Sequence, residues 1–300
     1  MGARIESAAT AAKGRRGLLA PHAARLSDRA ARACLDRARR RADEVDLVVS
    51  AGVYREKTGR SELDVHVPGD VRASQDEGRR KTHAGHGLAF EVTCGGCSAL
   101  SAAYLVDGLL SSGAAHLGLI AAADVPASAV TAGGFPFAPV GGAMVLSHGG
   151  NGEGFDGFDF QTFATEAPLF QATLNREGGA QRGRYVLEVR EDPRYAAACL
   201  EHARQVSRGF LARAGLRESD VDLLVASQYP PGFARDLARE LGVPPERVPR
   251  VANDRGPTHS AGVMAALESA IDSGLFWKAH TVLFVTAGAG ITIGVALYRR

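Results

Sequence analysis

Two cysteines separated by a glycine pair form the stretch of the sequence best suited to chemistry. Cys94 and Cys97 follow a short apolar run that ends at Val92. A helical pattern begins directly after them, so the sequence predicts a strand, a tight turn and the N-terminus of a helix. The positive end of a helix dipole stabilises a thiolate and lowers its pKa. Cys97 is the better placed candidate, although either cysteine could equally be a small packing residue.

The elements that would position these thiols are predicted from the spacing of apolar residues. Strands are expected at 3–8, 46–51, 88–92, 117–122 and 141–146, of which 46–51 and 117–122 are expected to be buried. A helix is expected from an N-cap at Ser27 to about Ala42. The helix after the cysteines is expected to bury one face, formed by Leu100, Tyr104, Leu105, Leu109 and Leu110.

Composition excludes several classes of protein. The formal charge of +2 over 300 residues gives no global sign of nucleic-acid or membrane-surface binding. Four cysteines are too few for a disulfide framework, and the Cys94/Cys97 pair lacks a second cluster that would complete a metal site. With no long apolar run, the chain is expected to be soluble and cytoplasmic. Basic clusters occur at 39–41 and 79–81. The first, on the predicted helix, is predicted to be a solvated face, and the alternative is a site for a phosphate-rich ligand or an acidic carrier protein.

The second half of the sequence repeats the first. Residues 33–36 lead to a strand at 45–50, as residues 198–201 lead to a strand at 221–227. Likewise, 107–113 and the strand that follows are echoed by 268–274 and a strand at 281–286. Two copies of an α/β unit whose strands are apolar on both faces predict helices on both sides of each sheet. We therefore predict a five-layered αβαβα arrangement, with one half at 1–150 and the other at 151–300.

A duplicated α/β unit with a cysteine elbow resembles the thiolase superfamily, and most closely ketoacyl synthase III. The resemblance is carried by 90–92 before the elbow, 107–113 and 122–125 after it, 221–225, 241–243, and the glycine-rich segment 288–294. It implies acyl-CoA or a phosphopantetheinylated acyl carrier protein as substrate, with no resident cofactor or metal. In this family, a backbone N–H of the glycine-rich segment helps to form an oxyanion hole. The implied positions here are Gly288, Ala289 and Gly290.

Three positions depart from the chemistry that the resemblance implies. The commonest register puts Gly96 where the family has its nucleophilic cysteine, one residue before Cys97. The family histidine is replaced by Ser227, and the family asparagine by Pro257. The segment between the first strand and the first helix, 8–27, is too short and lacks the aromatic residues that help to hold CoA. Without the family histidine and asparagine, decarboxylative condensation by this chain alone is not expected.

Acyl transfer makes smaller demands, and it is the predicted activity. Cys97 is predicted to be the nucleophile, with Cys94 as the second choice and His259 as a replacement base. The amide groups of Cys97 and Ala289 would then stabilise the oxyanion. Ser227 could position a water or substrate. The alternatives are that His259 has no catalytic role and that Ser227 caps a strand end.

The competing prediction is a non-catalytic partner subunit. Superfamily members form dimers, and in some heterodimers one chain has lost its catalytic residues and shapes the pocket of the other. A homodimer, or a heterodimer with an intact synthase, is therefore expected. Phe135 and Phe137 lie in a Gly- and Pro-rich loop and are predicted to line an acyl pocket. The same loop could also form part of the dimer interface.

Overall fold

A computed structural model describes residues 2–12, 22–54, 87–126, 134–150, 152–177, 184–252 and 256–300. The elements follow in the order β1 (Arg4–Ala12), α1 (Ala23–Ala38), β2 (Leu47–Ser50), β3 (Leu88–Glu91), α2 (Ser98–Ser111), β4 (Leu117–Ala123), β5 (Val140–Ser147), β6 (Gly154–Thr162), β7 (Phe170–Glu177), β8 (Arg184–Glu191), α3 (Tyr195–Arg213), β9 (Leu223–Ala226), α4 (Phe233–Leu241), α5 (Gly262–Asp272), α6 (Leu275–Lys278), β10 (Thr281–Gly288) and β11 (Thr292–Arg299).

Two sheets that share the order of four corresponding strands confirm the duplication. The first sheet has the order β1-β5-β4-β2-β3 and the second the order β6-β11-β10-β9. In each, the strand after the outer helix (β2 or β9) pairs in parallel with the next central strand (β4 or β10). That central strand pairs antiparallel with the strand that follows it, β5 or β11. The position of the boundary near residue 150 stays a prediction.

The predicted five layers are present. Buried residues of α1 pack on one face of the first sheet. Residues of α2 and α5 form a core with the opposite face of that sheet and with the inner face of the second sheet. The outer face of the second sheet is covered by α3 and α4. The central strands of both sheets are thus buried on both faces, as continuous apolar strands require.

The predicted buried face of α2 is wrong in part. Leu100 and Leu110 are buried, but Tyr104 and Leu105 are 52% and 42% exposed. The buried side also carries four small residues, which are Ala99, Ala102, Ala103 and Val106. Small side chains allow close packing where a helix lies between two sheets, and this tertiary requirement outweighs the leucine pattern.

The predicted limits of α1 are also wrong. The helix begins at Ala23 after an N-cap at His22, so Ser27 lies inside its second turn. It ends at Ala38, where Arg39 adopts a left-handed conformation with φ of 55°. Packing of Ala23 and Leu26 on neighbouring apolar residues extends the helix beyond the predicted cap. The cluster 39–41 therefore follows the helix instead of lying on it.

The predicted basic cluster at 79–81 lies outside the described residues. Within the part of the chain that the structure describes, no helix is long and apolar enough to cross a bilayer. The same part contains no group of three or more His, Cys, Asp or Glu side chains arranged to hold a metal ion.

Candidate active site

The two cysteines lie in a tight turn that leads into α2. Gly95 has a φ of +55°, a conformation that glycine adopts without strain. The Cys97 N–H donates to the Cys94 carbonyl over 3.0 Å. The Ser98 hydroxyl accepts the Cys94 N–H at 2.8 Å and donates to the Gly95 carbonyl at 2.7 Å. The Cys97 amide, predicted as an oxyanion donor, is therefore used within the turn.

The glycine pair packs directly against the end of β10. A Cβ placed on Gly96 would lie 2.2 Å from the Ala287 carbonyl oxygen. A Cβ on Gly288 would lie 3.0 Å from the Gly96 nitrogen and 3.1 Å from the Cys94 carbonyl oxygen. Position 96 thus has no room for a side chain beside the Ala287 carbonyl, and a side chain at position 288 would crowd the backbone of the turn.

The Cys97 thiol points into the core. It has no exposed surface, and its Sγ donates to the carbonyl of Thr292 at 3.2 Å. Burial raises the pKa of Cys97 to about 12. The expected lowering of this pKa by the helix N-terminus is therefore wrong. A thiolate with no access to water loses its solvation, and at this position that cost exceeds the stabilisation from the helix dipole.

Cys94 is the half-buried member of the four free cysteines, whereas Cys34, Cys97 and Cys199 are buried. Burial raises the pKa of each of these three thiols to about 12. A small alkylating reagent at pH 8 should therefore modify Cys94 first. We expect the three buried thiols to react roughly a hundredfold more slowly, because burial shields them from the reagent and keeps them in the unreactive protonated form.

This difference can be measured by mass spectrometry during a time course with iodoacetamide. Cys94→Ser should abolish the fast phase, and Cys97→Ser, the matched control, should leave it intact. A fast phase that persists in Cys94→Ser and disappears in Cys97→Ser would show that the Cys97 thiol reaches solvent.

His259 is paired with a buried carboxylate. Its Nδ1 lies 3.1 Å from Oδ2 of Asp124, and both side chains are almost fully buried. Burial alone would raise the pKa of Asp124, but the charge and hydrogen bond of His259 and the hydrogen bond from Ser260 lower it to about 2. An ionised Asp124 favours the tautomer in which Nδ1 carries the proton, which leaves Nε2 as the acceptor nitrogen. This arrangement suits a general base.

Asp124 is the residue that the sequence prediction missed. Its Oδ1 accepts the N–H groups of Val53 and Tyr54, both at 2.8 Å. Its Oδ2 accepts the Ser260 N–H at 2.8 Å and the Ser260 hydroxyl at 2.5 Å, in addition to the contact with His259. The available signal was its position directly after the buried strand β4, where a polar residue at the carboxyl end of a strand commonly serves a site.

The two phenylalanines predicted to line an acyl pocket belong to an aromatic cluster around His259. The Phe137 ring centroid lies 4.4 Å from that of His259 and 5.5 Å from that of Tyr54. Phe135 packs edge-on against both Tyr54 and Phe137. The Ala138 N–H donates to the Pro257 carbonyl, which fixes the loop beside the segment that carries His259. The cluster is an apolar wall at this site, and Phe137 is itself only 4% exposed.

Ser227 lies at the end of β9 and continues its pairing with β10. The Ser227 N–H donates to the Val285 carbonyl, and its hydroxyl accepts the Ala287 N–H at 3.2 Å. Both groups therefore serve the strand end. Ala289 is exposed and Gly290 has a φ of +106°, so these two residues form the turn between β10 and β11 beside the cysteines. The oxyanion role of 288–290 stays a prediction.

Comparison with known proteins shows what the chain is similar to. A family model described as 3-oxoacyl-[acyl-carrier-protein (ACP)] synthase III C terminal matches residues 211–300. The beta-ketoacyl-[acyl-carrier-protein] synthase III of Hyphomonas neptunium is 25% identical over 279 residues, which cover 90% of this chain and 81% of the relative. The chain is a ketoacyl-synthase-III-like protein.

Other matches agree with this assignment. The synthase-III-like chain is 33% identical to the Coxiella burnetii beta-ketoacyl-[acyl-carrier-protein] synthase III over 90 residues, which cover 30% of the chain and only 28% of that relative. The crystal structure of 3-oxoacyl-[acyl-carrier-protein] synthase III from Aquifex aeolicus has a TM-score of 0.80 at 19% identity and covers all of both chains. This match confirms the thiolase-like fold.

Two of the three positions predicted to depart from the family chemistry are connected through Ala287. Gly96, in the predicted register of the nucleophile, is packed against Ala287. The Ala287 amide in turn donates to Ser227, in the predicted register of the histidine. Pro257, in the predicted register of the asparagine, offers only its carbonyl, which accepts from Ala138.

Proposed function

We propose that this synthase-III-like chain is a non-catalytic partner subunit in a condensing-enzyme complex that handles acyl thioesters. It would bind an intact synthase of the same fold and shape the acyl pocket. Its own cysteines would not carry the acyl group. The substrates of the complex would be acyl-CoA or acyl-carrier-protein thioesters, and this chain would contribute no metal or cofactor.

The closed elbow is the observation that supports this proposal most strongly. A nucleophile at position 96 would need a Cβ where the Ala287 carbonyl oxygen already lies 2.2 Å away. The Cys97 thiol is one residue later and has no exposed surface. An acyl thioester must reach a thiolate to transfer its acyl group, and neither position offers one to solvent.

The surroundings of the elbow support the same proposal. Family condensation depends on a histidine and an asparagine, and neither is present in the matching positions. Ser227 uses its hydroxyl to hold the Ala287 amide, and Pro257 has no donor. Loss of one such charge-stabilising donor lowers the rate by roughly 10²–10³.

The second candidate is acyl transfer by this chain itself, through Cys97 or Cys94. The pairing of His259 with the ionised Asp124 favours this candidate, because it provides an oriented base that a purely structural chain does not need. In this case the chain would transfer an acyl group without the decarboxylative step.

Intact-protein mass spectrometry distinguishes the two. The chain should be incubated with a panel of acyl-CoA and acyl-carrier-protein thioesters, alone and with a synthase subunit of the same fold from the same genome. We expect no acyl increment on this chain, and acylation of the added synthase only. We also expect the two chains to co-purify as one complex.

Cys97→Ala and Cys94→Ala serve as matched variants. An increment on the wild-type chain that hydroxylamine removes and that Cys97→Ala abolishes would replace the proposal with the acyltransferase. An increment lost only in Cys94→Ala would do the same, with Cys94 as the nucleophile.

A further inference from the structure

A cleft of about 460 Å³ is lined by five arginines and lies beside the carboxyl end of β11. Its volume lies in the range of small-molecule sites. The arginines are Arg4, Arg37, Arg39, Arg40 and Arg300.

The cleft is remote from the elbow because the two lie at opposite ends of β11. Thr292, the carbonyl partner of Cys97, is the first residue of β11, and Arg300 directly follows its last. Eight residues of extended chain span about 26 Å. A ligand in the cleft would therefore not contact the candidate active site.

Carboxylates hold three of the guanidinium groups in place. Arg40 donates to both carboxylate oxygens of Glu6, at 2.8 and 2.6 Å, and Arg4 shares the same carboxylate at 3.2 Å. Arg300 pairs with Glu153 at 3.2 Å, and its guanidinium lies over the Trp277 ring, 4.9 Å from the centroid. Guanidinium groups fixed in this way lose little conformational freedom when they bind an anion.

Positive charge remains after this pairing. The lining contains two glutamates, Glu6 and Glu153, against five arginines. Arg37 pairs outside the lining, with Glu268 and Asp272. Arg39 has no ion pair with the described residues, and the buried Nε of Arg4 has no hydrogen-bond partner among them. Donors that lack acceptors, grouped in a concave site, are suited to an anion with several oxygens.

We propose that this cleft binds a small anion that carries a polyphosphate chain. Planar guanidinium groups bind phosphate oxygens in pairs, so a chain of two or three phosphates could contact several of these arginines at once. Trp277, 46% exposed at the edge of the cleft, is available to contact a base or other ring attached to the chain.

Isothermal titration calorimetry of the full chain with inorganic pyrophosphate and with ADP tests this proposal. Both anions should bind, more weakly as ionic strength rises. Arg39→Asn should weaken binding about tenfold, since it removes one charge-assisted contact, and asparagine tolerates the left-handed backbone there. Arg41→Asn is the matched control. Arg41 is an exposed arginine paired with Asp43 outside the cleft, and its loss should change the dissociation constant less than twofold.

Tighter binding of ADP than of pyrophosphate would identify a nucleotide as the ligand, and equal affinity would identify the phosphate chain alone. Two results would overturn the proposal. One is no binding of either probe at millimolar concentration and low salt. The other is an equal loss of affinity in Arg39→Asn and Arg41→Asn, which would show a general charge effect instead of a site.

Discussion

Gly96→Cys, which restores a cysteine in the register of the family nucleophile, should destabilise the protein without creating an acylated enzyme. The new Cβ would meet the Ala287 carbonyl oxygen at 2.2 Å, and both are backbone-anchored. The elbow or the end of β10 would have to move. Overpacking of this kind costs about 2 to 3 kcal/mol in the free energy of unfolding. Urea unfolding followed by circular dichroism measures it.

Gly96→Ala isolates the steric effect, and it should lose a similar free energy of unfolding. Gly108→Ala is the control, because Gly108 lies in α2 with nothing within 4 Å of the new Cβ. Alanine there should stabilise the protein by about 0.5 to 1 kcal/mol. If Gly96→Ala matched the wild type in stability, or if Gly96→Cys became acylated, the elbow would have to be open in solution.

Asp124→Asn is expected to have the largest effect of any single substitution considered, about 3 to 5 kcal/mol of lost stability. The buried carboxylate accepts hydrogen bonds from four residues, which are Val53, Tyr54, His259 and Ser260. An amide places an NH₂ group against donors that need an acceptor. Asp43→Asn, at an exposed ion pair, should change the free energy of unfolding by less than about 0.5 kcal/mol.

The same carboxylate gives the stability a defined pH dependence. The pKa of Asp124 is lowered to about 2 in the folded protein, while an unfolded aspartate titrates near 3.9. The contribution of Asp124 to the free energy of unfolding is therefore fully present above about pH 4 and is lost as the pH falls through 2. This contribution is about 2 kcal/mol. Asp124→Asn should lack this component of the acid-induced loss. If the wild type and Asp124→Asn lost the same stability on acidification, the lowered pKa of Asp124 would be contradicted.

If Asp124→Asn does not fold, Ser260→Ala, which removes one hydrogen-bond donor to Asp124, should show a smaller loss of stability.

The architecture could be predicted from the sequence because the duplication repeats its helices and strands in the same order. The apolar strands β2, β4, β9 and β10 were all predicted, and they pair side by side within the two sheets. β6 was not among the strands predicted from the sequence. In the structure, Gly154 and Gly157 lie within β6 with φ of +144° and +152°, and the ladder skips a residue opposite 297 and 298. Glycine here marks a bulge inside a strand instead of its end.

The candidate site was predicted less completely, because its properties depend on contacts between distant segments. Position alone favoured a reactive Cys97, but the direction of its side chain is set by β11, 195 residues further along the chain. His259 was identified, yet the carboxylate that orients it lies 135 residues earlier. Burial and long-range pairing decide the pKa of such groups, and neither can be read from local spacing.

The turn at Cys94–Cys97 comes from one half of the duplication, and the strand end that closes it, Ala287–Gly288, comes from the other. The helices α2 and α5 likewise share a single core with both sheets. The two copies of the repeat are thus one cooperative unit for folding. Replacing either half by that of a relative would therefore change the contact between the cysteine turn and the end of β10.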